Sequence, residues 1–418
     1  MSNGSVRPTD VAISAFGDGG LLEGIRVVDL TQFLAGPYGT MALGDLGADV
    51  IRIEDPDHMD EARRAGPDFL YKDLSLYFAS LNWGKRSIGL RLSHPAGRNA
   101  AMDLIQSADV IVDNFRHGAL SKIGLSHDDV VKVKPDIITC SLTGFGESGP
   151  LASQPGYDYT VQAIAGVMSL SGEPGGPPGK AGISYVDHSG GLSAAFAVCA
   201  ALVKRDRTGQ GCHIDLGLFD VQISMLTYLA ARQLNDGVPT RRLANGAHST
   251  MVPAQIFQTA DGYLTIFVGN DRMWSRLVTV VGDDRLKDPM FAQNAERLNQ
   301  RESVVAILQE ALLKQSTEYW VRVLRKNKVA CGEVNDIEGA LATSQVALRQ
   351  LIQSADSSSY GAYEHVAGPV PSMGVAGHHG APLLGEHTRS VLADIGYSTE
   401  RVDELISSGA AIVSAISS

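Results

Sequence analysis

Short apolar, strand-like runs alternate with helix-like segments over the first 145 residues, and this alternation constrains the fold more than any other feature. Two helices are predicted between the runs, one with Pro37 at its first position that runs to about Gly47 and one from Pro95 to Ala108, with a short helix from Gly118. Parallel strands need a crossover of about a dozen residues or more, usually a helix, and these spacings provide it. The pattern therefore predicts an α/β fold with a doubly wound parallel sheet. The predicted strands span residues 25–30, 49–54, 87–92, 109–115 and 136–142.

The later part of the chain is predicted to form a second, smaller domain and connecting segments. Two strand-like runs flank Asp261-Gly262, which is typical of a β-hairpin, and helices at 273–281 and 302–314 follow. The polar stretch 235–250 is typical of an interdomain linker. The predicted organisation in chain order is a flexible N-terminus (1–20), a large α/β domain (21–234), the linker (235–250), a small α+β domain (251–340) and a C-terminal segment (341–418).

Composition and charge exclude several classes of protein. With 418 residues, 44% of them hydrophobic, the chain can bury a large core, which excludes a disordered or disulfide-stapled protein. A net charge of −11 disfavours wholesale binding of nucleic acid. The four cysteines lie far apart with no C-x-x-C pair, which indicates reduced thiols and no metal site. The polar N-terminus and the short apolar run at 192–203 indicate neither a signal peptide nor a membrane span, so a cytoplasmic location is predicted.

Two local patterns bear on ligand binding. GFGESG (144–149) matches the dinucleotide-binding fingerprint, but Pro150 and Pro155 follow where the phosphate-binding helix would have to begin, so a loop is predicted. Residues 85–134, here called the basic window, contain eight Lys or Arg against five Asp. Such a window is either a solvated face or a docking site for an anion.

Asp187 lies in the motif VDHSGG, just before a helix predicted to begin near Ser189. An aspartate in this position is commonly an N-cap, and the same position keeps a carboxylate ionised and stabilises negative charge during a reaction. The two roles are compatible. His188 and His248 are the histidines nearest to these turns, but no Ser-His-Asp order or G-x-S-x-G motif accompanies them, which disfavours a hydrolase triad.

Six segments in order carry a resemblance to a known family: GIRVVDLTQFLAGPYGTMALGDLGADVIRIE, NWGKRSIGL, ADVIVDNFRHGALSKIGL, PGYDYTVQAIAGVM, VDHSGGLSAAFAVCAALVKRDRTGQG and DGYLTIFVGND. The chain resembles the class III coenzyme A transferases, the family of formyl-CoA transferase and carnitine CoA-transferase. The resemblance implies an interlocked homodimer of ring-shaped subunits. Each would have a large Rossmann-like domain, a small domain and a C-terminal stretch that returns to the large one. The implied substrates are an acyl-CoA and a carboxylic acid, with coenzyme A as a substrate and no cofactor permanently bound.

The resemblance also assigns roles to individual residues. It points to Asp187 as the essential carboxylate, expected to form an acyl anhydride and then a thioester with coenzyme A. Substrate contacts are expected at Leu34, Tyr157, Asp158 and Ser249. Coenzyme contacts are expected at Phe33, Ala35, Asn114, Phe115, Ala119 and Lys122, the last four inside the basic window.

The tetrahedral steps of this chemistry need hydrogen-bond donors for the oxyanion. Because glycine lets a backbone approach closely, Gly190, Gly191 and the loop near His248 are the candidates. Water must also be excluded from an anhydride or thioester, and the loop 245–250 is the predicted cover.

Three departures from the family pattern bear on specificity. Leu34 stands where formyl-CoA transferase has an active-site glutamine, and AHST (247–250) replaces its run of glycines in the small domain. An apolar Leu34 leaves a small dicarboxylate short of one donor, which disfavours oxalate or formate and indicates a larger or less polar acyl group. Asp55 replaces a basic residue after the second strand, so part of the phosphate contact must differ.

Two other functions stay open on the sequence. The α-methylacyl-CoA racemases of the same family resemble the transferases in fold but use acid–base chemistry, with a histidine before the aspartate that matches Asp158. Tyr157 occupies that position here, and a phenol with an ordinary pKa of about 10 is a poor proton shuttle at neutral pH, which favours the transferase. A catalytically silent acyl-CoA-binding protein is the other possibility, and the presence of Asp187 argues against it.

Overall fold

A computed structural model describes residues 20–371, 373 and 379–414, so the N-terminal segment predicted to be flexible lies outside the described residues except for Gly20. The chain divides into two compact units. The larger unit holds the described residues up to Ala165, then Ile183–Met225, and those from Ser344 onwards. The smaller unit holds Gly166–Gly182 and Leu226–Thr343.

Fourteen strands lie in the part of the chain that the structure describes. They are β1 (Arg26–Leu30), β2 (Asp49–Glu54), β3 (Phe69–Tyr71), β4 (Leu74–Ser75), β5 (Arg86–Leu90), β6 (Val110–Asp113), β7 (Ile138–Thr143), β8 (Cys212–Gly217), β9 (Ala254–Gln258), β10 (Tyr263–Phe267), β11 (Ala330–Glu333), β12 (Ile352–Ala355), β13 (Tyr363–Val366) and β14 (Ala411–Ile412).

Seventeen α-helices lie in the same part. They are α1 (Ala35–Asp45), α2 (Leu76–Asn82), α3 (Pro95–Gln106), α4 (Ala119–Lys122), α5 (His127–Val130), α6 (Asp158–Ile164), α7 (Tyr185–Thr208), α8 (Leu218–Met225), α9 (Thr227–Asp236), α10 (Asp271–Val281), α11 (Asn294–Asn299), α12 (Arg301–Leu312), α13 (Thr317–Lys326), α14 (Ile337–Leu341), α15 (Ser344–Leu348), α16 (Thr388–Asp394) and α17 (Thr399–Ser407).

The larger unit is built on a seven-stranded sheet of order β14-β5-β2-β1-β6-β7-β8. Six strands are parallel, and β14, near the C-terminus, pairs antiparallel with β5 at one edge. The chain runs outward from β1 through β2 to β5 and then returns to place β6 on the other side of β1. The order therefore reverses between β1 and β6, and such a switch point leaves a crevice beyond the carboxyl ends of the strands, where ligands bind in open α/β sheets.

Both faces of this sheet are covered, as a parallel sheet requires. On β1, Val27 belongs to the core beneath α1 and α7, whereas Val28 belongs to the opposite core with α3 and the C-terminal helices α16 and α17. The smaller unit has its own core around the antiparallel sheet β11-β10-β9, in which β9 and β10 form the hairpin predicted around Asp261-Gly262.

Three parts of the predicted division differ from these units, and one of them is Gly166–Gly182, which was predicted within the large domain and belongs to the smaller unit. The larger unit reaches Met225, rather than residue 234, because the chain turns at Thr227, whose φ of 37° separates α8 from α9. The predicted linker 235–250 includes the end of α9 and a 3-10 turn at Ala244–Gly246, and it belongs to the smaller unit.

Helices α1 and α7 cross at close range in the larger unit. A Cβ on Gly39 would lie 2.6 Å from the carbonyl oxygen of Gly191, and a Cβ on Gly191 would lie 2.4 Å from that of Ala35. Real Cβ atoms are never found so close to backbone oxygens, so the crossing requires glycine at both positions. The contact fixes the start of α1 relative to the first half of α7.

Among the described residues one helix, α7, is long and apolar enough to cross a membrane by length and composition. In this fold α7 packs against α1, β7 and β8 and contributes Val186, Ala194, Val198 and Leu202 to the core. The apolar run predicted to be too short for a membrane span is the middle of this core helix.

Candidate functional site

The turn after β1 lies at the switch point of the sheet, and it is held from two sides. Asn114, the first residue after β6, accepts a hydrogen bond from the N–H of Gln32 (2.8 Å) and donates one to its carbonyl oxygen (2.7 Å). The next residue, Phe33, has a φ of 61°, in the left-handed region that bulky side chains avoid. Its N–H points to the carboxylate of Asp60, 3.1 and 3.3 Å from the two oxygens.

The start of α7 is capped by a residue from a distant part of the chain. The N-cap residue, Ser184, makes no side-chain capping hydrogen bond. Instead, Asp158 accepts a hydrogen bond from the N–H of Val186 (3.1 Å) and a second from the side chain of Gln162 (2.8 Å). Asp158 is only 5% exposed, so its carboxylate is used to join α6 to the first turn of α7.

Asp187 is the third residue of α7, so the predicted helix start near Ser189 is wrong, and Asp187 is not the N-cap. It lies in the first helical turn, where the helix dipole stabilises a carboxylate and any negative charge that develops beside it. The side chain is half-buried, unlike that of Asp158.

A cavity of about 400 Å³ contains Asp187 and lies entirely within the larger unit. Its walls come from the turn after β1, the segment after β6, the residues after β7, the loop before α6 and the starts of α7 and α8. The predicted site residues that line it are Asp187, Phe33, Leu34, Ala35, Asn114, Phe115, Ala119 and Tyr157. Phe33 and Tyr157 meet edge to face, with their ring centroids 6.1 Å apart.

Four predicted site residues have other positions. Lys122 is exposed at the end of α4 and does not line the cavity. Gly190 and Gly191 are the sixth and seventh residues of α7, where backbone N–H groups bond within the helix. Their expected role as oxyanion donors is therefore corrected to a packing role, since a Cβ on Gly190 would lie 2.2 Å from the side chain of Leu218. Asp158 is the structural carboxylate described above.

His248 and Ser249 lie in the smaller unit, where they line a cavity of about 420 Å³ together with Tyr228 and Arg241. The Nε2 atom of His248 is 3.2 Å from the hydroxyl of Tyr228. Its Nδ1 accepts a hydrogen bond from the N–H of Thr250 (3.2 Å), so Nε2 carries the proton when the ring is neutral.

The basic window is largely neutralised by ion pairs in the folded chain. Lys85 is buried and lies 2.9 Å from Asp29, and Arg86, Arg91, Lys132 and Lys134 each pair with an aspartate. Burial lowers the pKa of Lys85 to about 8, and the charges of Lys85 and Arg52 outweigh burial to hold the pKa of Asp29 at about 2. Ion pairs within the folded chain thus account for most of these charges, and Arg116 from the same window lines the Asp187 cavity.

Two residues near the site were missed by the sequence reasoning. Tyr77 on α2 has a pKa raised to about 12, by burial and then by the negative charges of Asp187, Asp60 and Asp158. Its phenol therefore stays protonated at any ordinary pH and lies in the field of the Asp187 carboxylate. The second residue that the sequence analysis did not identify is Asp60, which accepts the hydrogen bond of the Phe33 N–H. Neither belongs to a recognisable motif, because each acts on residues far away along the chain.

Comparisons with known proteins show the family of the chain. A model of CoA-transferase family III matches residues 22–388. The succinyl-CoA:glutarate CoA-transferase of Mus musculus is 35% identical over 93% of this chain and 89% of its own length, and the acetyl-CoA:oxalate CoA-transferase of Acetobacter aceti is 38% identical over 80% and 85%. Among solved structures, a CAIB/BAIF family protein from Brucella suis superposes with a TM-score of 0.80 at 34% identity, over 90% of this chain and 100% of its own. The chain therefore belongs to the family III CoA-transferases and is a CoA-transferase.

Proposed function

We propose that this enzyme moves coenzyme A from an acyl-CoA donor to a carboxylic acid acceptor through a covalent intermediate on Asp187. One observation carries the proposal: a half-buried aspartate in the first turn of a long helix lies in the cavity at the switch point of the sheet. Such a carboxylate is accessible and lies where the helix dipole stabilises negative charge, which suits a nucleophile.

Coenzyme A is proposed to bind along the turn after β1 and the segment after β6. Phe33, Leu34 and Ala35 give this side of the cavity an apolar wall, and Asn114 and Phe115 form the other. Arg116 is among the residues that line the cavity and is proposed to bind an anionic group of the coenzyme. Ala119 lies in the same lining, and Lys122 is proposed to contribute a charge from the surface of α4.

The proposed reaction conserves the energy of the thioester at each step. A carboxylate oxygen of Asp187 attacks the acyl carbonyl of the donor, forms a mixed anhydride and releases the coenzyme thiolate. The thiolate then attacks the Asp187 carbonyl, which forms an aspartyl-CoA thioester and releases the donor acid with one oxygen that came from Asp187. The acceptor acid repeats both steps in reverse, so the regenerated Asp187 carboxylate keeps one oxygen of the acceptor.

Each attack forms an oxyanion that needs a hydrogen-bond donor. The N–H groups of Gly190 and Gly191 are in the interior of α7 and are used by the helix itself.

The acids are proposed to be short dicarboxylates of the succinate and glutarate type. Among the relatives that match over most of the chain, several are named for succinyl-CoA and glutarate or mesaconate, and one is named for acetyl-CoA and oxalate. Leu34, which is buried in the cavity wall, favours the longer acids over oxalate.

The active form is proposed to be a homodimer. The outer side of α7 exposes Leu192, Phe196 and Val203, with Phe196 76% exposed, and a second copy of the chain would cover such apolar side chains. Mass measurement by light scattering in solution tests this proposal, because a monomer at micromolar concentration would contradict it.

Heavy-oxygen labelling tests the covalent role of Asp187. The enzyme is incubated with succinyl-CoA and glutarate labelled with oxygen-18 in its carboxylates, and is then cleaved with trypsin. Residues 181–204 form one tryptic peptide whose only acidic side chain is Asp187, and Asp158 lies in a different peptide. The proposal expects the 181–204 peptide to gain one heavy oxygen after a turnover.

Other outcomes distinguish the alternatives. Label in the peptide that contains Asp158 would move the nucleophile to that residue. Turnover without label would exclude the anhydride route, and tight coenzyme binding without turnover on any acid would favour a silent acyl-CoA-binding protein. Exchange of the α-hydrogen of a 2-methylacyl-CoA for deuterium would favour the racemase.

A further inference from the structure

We propose that Asp60 is a positioning residue for the coenzyme site, because it holds Phe33 in its left-handed conformation and so places the aromatic ring in the cavity wall. Asp60 is buried and does not itself line the Asp187 cavity. The inference rests on the proposed function only in assigning that cavity to coenzyme A.

The conformation of Phe33 needs an external cause. Its φ of 61° lies in a region that aromatic residues rarely adopt, whereas glycine would adopt it without strain. Such a conformation persists only where the surrounding structure enforces it, and such residues cluster at functional sites. Here the enforced residue is one that lines the cavity of the nucleophile.

Asp60 accepts the hydrogen bond of the Phe33 N–H, and its own carboxylate is fixed by other neighbours. Its two oxygens accept the Phe33 N–H at 3.1 and 3.3 Å, and one of them also accepts the N–H of Ala62 (3.0 Å). The other lies 2.5 Å from Nη2 of Arg52, and both side chains of this ion pair are almost fully buried. Arg52 lies on β2 and is also 3.5 Å from Glu54, so Asp60 is fixed to the sheet.

Two consecutive residues of the turn are thus held by different neighbours. Gln32 is held by Asn114, and Phe33 is held by Asp60. Without the contact from Asp60, the Phe33 backbone would relax to a negative φ and its ring would leave the edge-to-face contact with Tyr157. The cavity wall would then have to be reordered each time coenzyme A binds, which weakens binding.

Asp60→Asn tests the inference, because the amide keeps the size of the side chain and one acceptor but removes its charge. We expect the Kd for coenzyme A, measured by calorimetry, to rise about five- to tenfold, with kcat within about twofold of wild type. Asp73→Asn is the matched control. Asp73 pairs on the exposed surface with Arg64, which ends the short 3-10 helix Glu61–Arg64 that Asp60 caps, and loss of this pair should change neither quantity.

A double-mutant cycle separates positioning from a general structural defect. Phe33→Gly removes the ring and makes the left-handed conformation unstrained, so adding Asp60→Asn to it should raise the Kd less than about twofold further. An unchanged Kd in Asp60→Asn, or an equal rise in both backgrounds, would overturn the inference.

A second comparison leaves all buried charges in place, and so keeps the inference testable if Asp60→Asn does not fold. Phe33→Gly and Phe33→Ala both lose the ring, but only glycine adopts a φ near 61° freely, so the glycine variant should melt about 2 °C higher. If the alanine variant melts at the same temperature as the glycine variant, or at a higher one, the inference that Phe33 is held in a strained conformation is wrong. The calorimetric and melting experiments do not depend on turnover. If the enzyme fails to transfer coenzyme A, that result contradicts the proposed function and leaves this inference unaffected.

Discussion

Two aspartates at the starts of neighbouring helices have opposite environments. Asp158 is the first residue of α6, is 5% exposed, and accepts hydrogen bonds from Val186 and Gln162. Asp187 is the third residue of α7, is half-buried, and lines the cavity at the switch point. The first carboxylate holds the helix that carries the second.

The difference shows what separates a structural carboxylate from a nucleophile. Both positions allow a helix dipole to stabilise negative charge, so proximity to a helix start cannot distinguish them. Access to a ligand cavity does distinguish them. A carboxylate whose oxygens accept buried hydrogen bonds cannot reach an acyl carbonyl without breaking those bonds.

Replacing the nucleophile should have the largest effect. We expect Asp187→Asn to lower kcat for coenzyme transfer about a thousandfold or more, because an amide cannot form the anhydride. Coenzyme A binding by calorimetry and the melting temperature should stay near wild type. Transfer within about tenfold of wild type, measured by chromatography of the acyl-CoA products, would contradict the assignment.

A third aspartate, Asp113 at the end of β6, is buried like Asp158, and its burial should make the stability of the fold depend on pH. Burial raises the pKa of Asp113 to about 6, so the folded state binds more protons than the unfolded state between pH 3.8 and about 6. Its stabilising contribution is therefore present at acid pH and is lost as the pH rises through about 6.

Asp113→Asn isolates this contribution because the amide does not titrate. The free energy of unfolding of wild type relative to Asp113→Asn should be about 2 to 3 kcal/mol more favourable at pH 4 than at pH 7. Denaturant titrations of both proteins at the two pH values measure it. The same difference at both pH values would show that Asp113 is not buried as described.

Removing the structural carboxylate should affect stability more than chemistry. Asp158→Ala leaves the buried N–H of Val186 without this acceptor, so we expect the free energy of unfolding to fall by about 2 kcal/mol. Transfer should fall about tenfold, because the start of α7 is less well held. A loss of activity as large as that of Asp187→Asn, without a loss of stability, would give Asp158 a direct chemical role.

The two glycines after Asp187 offer a matched pair. A Cβ on Gly191 meets the backbone oxygen of Ala35, which cannot move away, whereas a Cβ on Gly190 meets the flexible side chain of Leu218. The gain in helix propensity is the same for both, so Gly191→Ala should be less stable than Gly190→Ala by about 1 to 2 kcal/mol. Thermal or denaturant unfolding measures the difference, and equal stabilities would show that the crossing of α1 and α7 is looser than described.

Much of the fold could be predicted from the sequence. Apolar runs separated by helix-length segments required parallel strands with crossovers, and the seven-stranded sheet contains a strand in each predicted run. The family and the transferase activity followed from ordered segments such as VDHSGG, and the family match confirms them. The carboxylate at position 187 was singled out from the same motif, and its role as nucleophile stays a prediction.

What the sequence did not predict depends on contacts across the chain. Helix α7 begins at Tyr185 rather than near Ser189, since the cap on Val186 comes from Asp158, 28 residues earlier. Asp60 acts on Phe33 across 27 residues. Gly190 and Gly191 suggested oxyanion donors, because flexibility and close packing both select glycine and only the neighbours distinguish them.

Hydrophobic periodicity and local motifs act over a few residues, so the α/β architecture and the family can be inferred from the order of residues along the chain. Which of two helix-start aspartates faces a cavity, and which is buried in hydrogen bonds, depends on how distant segments pack. The backbone conformation that Phe33 must adopt depends on the same packing. The physical reason is that burial and hydrogen-bond partners are properties of space, set by side chains that meet only after the chain has folded.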